Sequence, residues 1–450
     1  MSLHVTSRFD ADASLRLLAV GLALVTLVAW AFTISLEVAL GLTASIVVVA
    51  LAVGLNARGV LHPLWPFAVL ATLLPLNGLR PTPGVSVGDV ALVATGIAVL
   101  PFVRRAAPPP HVVVPLVGTL VITAGGLLGM ITTQDWGGVA EMAKFVVGAP
   151  LVIVIVILMN PSQSTAIFLL KFYALGGAIS SVAAMTSFGS IDPAFGRSSG
   201  LGAHMGHLAL AGVFGFFVML GWAMSTRSLV IRVVAGLTAI LCMYGNLLSG
   251  TRSSTIGLIV GLVYLAFTAR LKGITILGAT GALALAVYFF IVPLLPQAAS
   301  IQRAFGQGPL AALAGQSTNE HANQLVESFR FIGIHPWTGS GFSQGLIAHN
   351  LILQVASVGG LVALVGLFVV WSPFYLLLFR RLAVGMTRAS VQQTCLLAGV
   401  LAYFVFAQFE PLIWDRHLWF FITLTLIAQT NAEGHTDRDG DRNVAQPAHG

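Results

Sequence analysis

Long apolar runs, separated by short polar segments, cover most of this 450-residue chain. The pattern predicts fourteen spans, at residues 15–34, 36–55, 61–78, 86–103, 111–133, 142–160, 165–187, 203–224, 229–248, 253–269, 273–296, 350–371, 390–408 and 413–430. Most of these runs are long enough to cross about 30 Å of hydrocarbon as helices. We expect an all-α polytopic membrane protein with about 12–14 transmembrane helices, since the third and tenth runs and the tight joint after Ile34 leave the count open.

One polar interval is much longer than the others, at residues 297–349, between the eleventh and twelfth apolar runs. Ser317, followed three positions later by Glu320, is a capping box, which predicts that a helix begins there. The helix should end before Pro336, because proline disfavours helical dihedral angles in the residue that precedes it. The pattern therefore predicts one large loop that contains a helix.

Composition supports the membrane assignment independently of the spans. Hydrophobic residues make up 57% of the chain, charged residues only 8%, and the mean hydropathy is +0.93. A soluble domain carries about 25% charged residues. The basic residues behind the net charge of +7 are scattered between apolar runs, so we expect the lipid bilayer, and no nucleic acid, as a partner. Cys242 and Cys395 each lie inside an apolar run, so no disulfide bond is expected.

The distribution of lysine and arginine predicts the orientation. With a cytoplasmic N-terminus, fifteen of the 22 basic residues lie on the cytoplasmic side, in agreement with the positive-inside rule. The others lie outside, at Arg80, Lys144, Arg197, Arg252, Arg303, Arg330 and Arg416. We therefore expect a multi-pass protein of the cytoplasmic (inner) membrane with an extracytoplasmic 297–349 loop. Residues 1–431 form a single membrane domain, and residues 432–450 are expected to be a disordered cytoplasmic tail.

Arg252 is the best placed of the outside cations, in the segment Leu248-Ser-Gly-Thr-Arg-Ser-Ser254 at the junction of two apolar runs. Its guanidinium must reach the membrane interface or face an internal polar cavity. An interfacial anchor and an anion site both fit this position. The neighbouring hydroxyl groups favour the anion site, because arginine forms bidentate, charge-assisted hydrogen bonds with phosphate. We also expect Arg197 and Arg416 to contact substrate.

Arg330 lies on the predicted helix of the long loop. One face of that helix collects His321, Leu325, Phe329 and Ile332. Arg330 lies on the opposite side with Asn323 and Glu327. Two arrangements fit, one in which Arg330 points to water and pairs with Glu327, and one in which it lines a cavity.

Several outside histidines and acids are further candidates. His204 and His207, three residues apart, share a helix face. They would suit a metal pair, but no outside acid or cysteine stands at ligand spacing, so we expect no metal. A polar cluster at Glu410, Asp415, Arg416 and His417 fits two roles, lining an acceptor site or capping two spans. The patterns Gly202-x-x-x-Gly206 and Gly257-x-x-x-Gly261 favour close helix packing.

Three segments stand out together, namely Ser-Gly-Thr-Arg252-Ser-Ser, His335-Pro-Trp-Thr-Gly-Ser-Gly341 and His349-Asn-Leu-Ile-Leu-Gln354. In these segments the chain resembles the bacterial O-antigen ligase and O-antigen polymerase superfamily, and the resemblance covers residues 245–375. It implies a metal-independent membrane glycosyltransferase with no cofactor and one large periplasmic loop. The implied donor is a polyprenyl-diphosphate-linked glycan, and the acceptor a glycan or lipid-linked glycan. Ligase and polymerase share these motifs, so the resemblance does not separate them.

The resemblance also implies roles for individual residues. Arg252, which would hold the diphosphate, and His349, near the acceptor, match the superfamily's catalytic positions. The implied substrate-binding residues are Arg330, His321, Asn350 and Gln354, in addition to Arg197 and Arg416. Many members carry an arginine where this chain has His321, so the second diphosphate contact stays open between His321 and Arg330. Many also carry an acidic residue just before the glycine at Gly359 or Gly360, where this chain has Ser357-Val358.

The chemistry fits these residue types. Arginines in a water-poor cavity stabilise the negative charge of a departing diphosphate. A histidine is the natural proton acceptor for a sugar hydroxyl near neutral pH, although His349 also fits a hydrogen-bonded interfacial histidine. The alternative is a transporter or flippase of a lipid-linked glycan, which needs ionisable groups near the bilayer midplane. The acids of this chain fall in loops, in the tail or at span ends, which favours the enzyme. A purely structural subunit leaves the long polar loop unexplained.

Overall fold

The computed structural model of the chain describes residues 64–80, 85–99, 110–186, 190–192, 197–270, 278, 281, 311–343, 349–387 and 390–429. The predicted spans 15–34 and 36–55, nearly all of span 273–296 and the predicted tail 432–450 lie outside the described residues.

Most of the described chain is helical. The helices are α1 (Trp65–Leu73, followed by the 3-10 turn Leu74–Leu76), α2 (Val87–Val99), α3 (Pro110–Thr133), the 3-10 turn Trp136–Gly138, α4 (Val139–Gly148), α5 (Pro150–Met159), α6 (Gln163–Met185), α7 (Met205–Ser225), α8 (Leu229–Leu248), α9 (Arg252–Ala269), α10 (Ala311–Ile334), α11 (Leu351–Val384), α12 (Val391–Phe406) and α13 (Arg416–Gln429). A short antiparallel ribbon of β1 (Ser190–Asp192) and β2 (Arg197–Gly200) joins α6 to α7. The all-α class is confirmed.

Seven helical segments of the described part are long and apolar enough to cross a membrane. They are His111–Thr133, Trp136–Met159, Gln163–Met185, Met205–Ser225, Leu229–Leu248, Arg252–Ala269 and Leu351–Val384. Shorter apolar helices occupy Trp65–Leu76, Val87–Ala98 and Val391–Phe406. The chain is thus a polytopic helical membrane protein. The total of about 12–14 spans stays a prediction, because several predicted spans lie outside the described residues.

Glycines bring several helices into close contact. A Cβ on Gly257 would lie 2.3 Å from Ala402 O, and one on Gly261 would lie 2.8 Å from Ala398 O, so α9 packs directly on α12. Close approach of this kind replaces the hydrophobic driving force that is missing between helices in lipid. The packing role predicted for Gly257-x-x-x-Gly261 is confirmed. The packing role predicted for Gly202-x-x-x-Gly206 is wrong. Gly202 lies before α7, and Gly206 leaves space for the carboxylate of Glu410.

Helix α11 differs from the predicted span 350–371 in its length and its shape. Its backbone is not helical at Gly359 or at Gly360, where φ is 59° and ψ is −150°. Ile122 of α3 lines the same small cavity as Val355 and also meets Gly366. An unbroken helix would hold Val355 and Gly366 about 16 Å apart. The chain therefore changes direction at these glycines, and the segment 351–358 does not continue the line of the long part of α11.

The turn that follows α10 stabilises this break. The N–H groups of Ser340 and Gly341 donate to the carbonyls of Ser357 and Val358, at 2.7 and 3.0 Å. On the other side of the break, the Leu361 N–H donates to Pro336 O at 2.9 Å. Backbone N–H and C=O groups at a break in a membrane helix need hydrogen-bond partners within the protein, because lipid offers none. The motif of residues 335–341 thus occupies the gap in α11.

The loop helix α10 ends as predicted, before Pro336, but its predicted start is wrong. It begins at Ala311, so Ser317 lies inside the helix and does not cap it. The predicted apolar stripe is also wrong in one position, since the Phe329 side chain is 62% exposed while Ser328 is 2% exposed. The packed face follows His321, Gln324, Leu325, Ser328 and Ile332, a helical repeat one step away from the predicted one.

Polar loops from many elements meet at one end of the helical bundle, which we call the polar end. The Gly78 N–H after α1 donates to Leu201 O after the ribbon, at 2.8 Å. The Leu351 N–H at the start of α11 donates to Ala407 O after α12, at 2.9 Å. The polar end carries Arg80, Arg197, Arg252 and Arg416, all predicted to lie on one side of the membrane. Which side this is stays a prediction.

Candidate functional site

The loop between α12 and α13, residues 407–415, contacts most of the other polar segments at this end. Its first part lies beside the start of α11. The Asn350 amide nitrogen donates to the backbone oxygen of Gln408 at 3.3 Å and to its side-chain oxygen at 3.1 Å. The Asn350 side-chain oxygen caps α11, accepting from the Ile352 and Leu353 N–H groups at 3.1 Å each. The side-chain nitrogen and the side-chain oxygen of Asn350, a predicted substrate ligand, are therefore both hydrogen-bonded within the protein.

Glu410, in the middle of the loop, pairs with the histidine that precedes α7. Its Oε1 lies 2.9 Å from Nδ1 of His204, and the Glu410 side chain is only 14% exposed. Burial by itself would raise the pKa of the Glu410 carboxyl, but the hydrogen bond and charge of His204, with Arg197 and His207 behind it, leave the pKa below its ordinary value. The pair ties the loop to α7 next to Gly206, which has no side chain to obstruct the carboxylate.

Asp415, at the end of the loop, lies between two histidines. Its Oδ2 is 2.6 Å from Nε2 of His207 and 4.0 Å from Nε2 of His417, and His417 is 1% exposed. Burial would raise the pKa of Asp415, but the charge and hydrogen bond of His207, with His417 and Arg416 nearby, lower it below the ordinary value. We call His207, Asp415 and His417 the His–Asp cluster.

The far side of the His–Asp cluster is fixed by a tyrosine of α6. The Tyr173 hydroxyl lies 2.8 Å from Nδ1 of His417, and their rings stack at 6.1 Å. The buried atoms His417 Nε2 and His207 Nδ1 have no hydrogen-bond partner among the described residues. A buried nitrogen without a partner is unusual, because it loses its bonds to water and gains none. Of these two atoms, His417 Nε2 is the one on the side of Asp415, so the cluster has one unsatisfied nitrogen there.

Arg416, a predicted substrate ligand, contacts an acid of α2 instead of standing free. Its Nε lies 2.5 Å from Asp89 Oδ1. The other carboxylate oxygen of Asp89 accepts from the backbone and the hydroxyl of Ser86, each at 2.8 Å, at the start of α2. Arg416 therefore links α13 to α2, which fits the capping role left open for the Glu410–His417 cluster.

Arg252 is the first residue of α9, and its exposed side chain has no hydrogen bond or ion pair among the residues that the structure describes. The turn before it is held by Arg197, whose Nε donates to Ser249 O at 2.9 Å and whose Nη2 donates to Thr251 Oγ1 at 2.7 Å. Thr251 precedes α9 but its side chain makes no capping hydrogen bond. An arginine and a helix N-terminus that lacks a side-chain cap therefore stand together.

His349 and His321 are brought together from the start of α11 and from α10. Their rings stack with centroids 4.1 Å apart and planes 9° apart, and both side chains are partly buried. Arg330, on the same helix as His321, is exposed, as in the first of its two predicted arrangements, but the ion pair with Glu327 expected there is not found among the described residues. Of the two residues considered for the second diphosphate contact, His321 is thus the one that lies against His349.

Gln354, also a predicted ligand, is 2% exposed and lies one helical turn beyond Asn350. It lines a small, largely apolar cavity together with Phe145, Val355, Phe342 and Trp414. The structure thus places Gln354 inside the bundle, apart from the exposed Arg252.

Sequence reasoning did not find the pairing partners of these residues. The expectation of no metal at His204 and His207 considered only ligands close to them in the sequence. Asp415, which contacts His207, lies far along the chain from it. Tyr173 and Asp89 gave no signal, because a tyrosine in an apolar run and an acid at a helix start are both common. Only the clustering of Glu410, Asp415, Arg416 and His417 in the sequence marked this region.

Comparison of the chain with models of known protein families, with curated proteins and with solved structures gives no match. The likeness to the O-antigen ligase and polymerase superfamily therefore rests on the motif residues described above.

Proposed function

We propose that this multi-pass membrane protein is a glycosyltransferase that transfers or polymerises a polyprenyl-diphosphate-linked glycan, in the manner of the O-antigen ligases and polymerases. The reaction takes place at the polar end of the bundle, on the extracytoplasmic side of the cytoplasmic membrane. The donor is held by arginine rather than by a metal, and the acceptor is a glycan or a lipid-linked glycan. The motif residues around Arg252, Gly341 and His349 support this proposal.

The observation that carries the proposal is that Arg252, a cation, is the first residue of a helix. A cation at the first position of a helix is electrostatically unfavourable, because the N-terminus already carries a partial positive charge. Here the two positive groups stand together, without a side-chain cap at Thr251 and without an acid paired to Arg252 in the described part of the chain. An anion removes this conflict, and phosphate oxygens suit both the guanidinium fork and the backbone N–H groups.

Arg197 has a supporting role in this proposal. Its guanidinium is bound to the backbone of Ser249 and the hydroxyl of Thr251, so it holds the turn that presents Arg252. The same two hydrogen bonds commit its guanidinium to the structure of the protein itself. We therefore assign the diphosphate contact to Arg252 and the positioning of that contact to Arg197.

The stacked pair His349 and His321 is the proposed acceptor side. The His349 ring, stacked on His321 at 4.1 Å, can still contact an acceptor hydroxyl through a nitrogen at its edge. Asn350 fixes the backbone next to His349 by binding Gln408 and capping α11. His349 would take the proton of the acceptor hydroxyl as its oxygen bonds to the anomeric carbon of the donor sugar, and the carrier diphosphate leaves with the electrons of the broken carbon–oxygen bond.

The glycan profile of a strain that lacks this protein tests the reaction class. Single repeat units with loss of chain length indicate a polymerase, and long chains left on the carrier lipid indicate a ligase. An unchanged profile would contradict the proposal. Re-expression of the wild-type chain is expected to restore the profile.

The His349→Ala variant tests the assignment of the proton acceptor. We expect transfer to slow by roughly 10²–10⁴-fold while donor binding is retained, because a general base acts only on the reacting proton. Transfer and donor binding are measured on purified protein, with His335→Ala as a control histidine outside the stacked pair. Transfer at the wild-type rate would end the catalytic role of His349.

The transporter alternative has one observation in its favour, the buried pair of His207 and Asp415, since proton-coupled transporters use such groups. Flux of a lipid-linked glycan across vesicles that responds to a proton gradient, without any transfer product, would favour this alternative over the enzyme.

A further inference from the structure

The His–Asp cluster has a donor set that suits a metal ion. It offers two imidazole nitrogens and one carboxylate oxygen, and the three ligand atoms all lie within 4.8 Å of one another. Zinc-class ions bind such nitrogen and oxygen donors at about 2.0–2.2 Å. We propose that His207, Asp415 and His417 form a site for a divalent transition-metal ion of the zinc class.

The distances bracket those of a metal site. Ligand atoms about 2.1 Å from one tetrahedral ion lie roughly 3.4 Å from each other. The observed separations from Asp415 Oδ2 are 2.6 Å to His207 Nε2 and 4.0 Å to His417 Nε2. Changes of less than about 1 Å in these two separations give the tetrahedral value.

The partnerless nitrogen of His417 is the second observation. When Nδ1–H donates to the Tyr173 hydroxyl, the Nε2 lone pair faces the Asp415 carboxylate, and two electron-rich groups repel. When the tautomer is reversed, Nε2 carries the proton, but this nitrogen lies 4.0 Å from the carboxylate oxygen, too far for a hydrogen bond. Neither tautomer satisfies this buried atom, whereas a cation between the three ligands does.

The surroundings match those of known metal centres. Metal-bound histidines usually hydrogen-bond through the second ring nitrogen, which fixes the ring, and Tyr173 supplies such a contact. The other ionisable neighbours are engaged elsewhere, Arg416 with Asp89 and His204 with Glu410. Apart from the histidines, Arg416 also acts on Asp415 through its charge, but its Nε contacts Asp89 rather than Asp415. The ion would join α7, α13 and, through Tyr173, α6.

This site does not depend on the proposed transferase, whose chemistry uses Arg252 and His349. A metal in the cluster would fix the end of the 407–415 loop and leave the arginine contact unchanged. The two proposals can therefore fail separately.

Metal binding by the purified full-length protein in detergent tests the site. After treatment with a chelator, Zn²⁺ alone is added in competition with a chromophoric chelator, and bound metal is measured by elemental analysis. We expect about one Zn²⁺ per chain, together with a rise in the thermal unfolding temperature, and no such response to Mg²⁺. A wild-type protein that binds none of Zn²⁺, Co²⁺ and Mn²⁺ would overturn the proposal.

Matched variants locate the ion. His417→Gln and His207→Gln should each lower the affinity for Zn²⁺ by at least tenfold, whereas His204→Gln, in the adjacent pair with Glu410, should leave it unchanged. Tyr173→Phe keeps every ligand and should weaken binding by about 10–100-fold, the usual effect of removing such a supporting hydrogen bond. Wild-type affinity in both ligand variants would place the metal elsewhere. If these variants do not fold, wild-type affinity in Tyr173→Phe counts against the site.

Discussion

Two regions of the polar end both carry ionisable side chains but use them differently. In the His–Asp cluster the groups are buried and face one another, as the 2.6 Å contact between His207 and Asp415 illustrates. Around Arg252 the cation is exposed and makes no ion pair among the described residues. A buried charge must be paired, because desolvation costs several kcal/mol per ion. An exposed charge does not need a partner within the protein, so Arg252 is available to a ligand from solution or from the membrane.

The contrast shows how similar sequence signals separate into different roles. Arg416 and Arg252 both begin helices at the polar end, yet Arg416 is held by Asp89 while Arg252 has no acid partner in the described chain. The first joins parts of the protein, and the second is available to a ligand. Variants should therefore affect stability in one region and activity in the other.

The largest expected effect is on stability, in the Asp415→Ala variant. Removing one partner of a buried ion pair costs about 3–5 kcal/mol, because the remaining group keeps its desolvation cost without compensation. Thermal unfolding in detergent measures the loss. The control is Glu141→Ala, which breaks the exposed contact of Glu141 with Lys144 and should cost no more than about 1 kcal/mol. Equal losses in the two variants would remove the distinction between buried and exposed pairs.

Arg252→Ala should have the opposite profile. We expect loss of donor binding and transfer equivalent to about 2–5 kcal/mol, with a change in unfolding free energy within about 0.5 kcal/mol. Arg252→Lys keeps the charge but loses the bidentate fork, so it should also impair transfer. Donor binding and thermal unfolding are measured in parallel, with the exposed Arg227→Ala as control. Normal binding and transfer by Arg252→Ala would make this residue an interfacial anchor.

The dependence of stability on acid tests the Glu410–His204 pair. Because the folded-state pKa of Glu410 is lower than its ordinary value, its contribution is complete above the ordinary carboxyl pKa and is lost as the pH falls through the folded value. Glu410→Gln should cost about 1.5–3 kcal/mol at pH 7 and should flatten this acid-side loss. Unfolding temperatures between about pH 6 and 3 measure both effects. Parallel pH curves for the two proteins would contradict the pairing.

The smallest expected effect concerns Asn350, which joins the start of α11 to the 407–415 loop. Replacing it by alanine removes the cap of α11, which typically costs about 1 kcal/mol, besides its bonds to Gln408. Asn350→Asp retains the capping oxygen and should recover most of the stability. Transfer by Asn350→Asp near the wild-type rate would assign Asn350 to positioning, and a large loss of donor binding in a stable variant would assign it to the substrate.

Some features were accessible from residue patterns alone because they depend on local physics. The hydropathy of the runs determines the helices, and Pro336 determines where α10 ends. The pattern Gly257-x-x-x-Gly261 places a tightly packed face on α9. The predicted start of α10 at Ser317 was wrong, because the helix already begins at Ala311 and continues through this capping signal. A local signal of this kind does not by itself determine where a helix starts.

The candidate site was accessible only in part. The motifs selected Arg252, His321 and His349, and the structure brings the two histidines into one stacked pair. The sequence did not indicate which of the predicted ligands are engaged inside the protein. Asn350 and Arg416 are both held by partners from other helices, and no local pattern encodes such partners.

By itself, the sequence determined that this chain is a helical membrane protein with its polar residues collected between the spans, because the burial of apolar side chains in lipid depends on composition and order alone. The tertiary structure decided the partners. Asp415 lies against His207, and Gly360 breaks α11 so that the turn after α10 fits into the gap. Both depend on contacts between segments far apart in the chain, and such contacts exist only once the helices have packed.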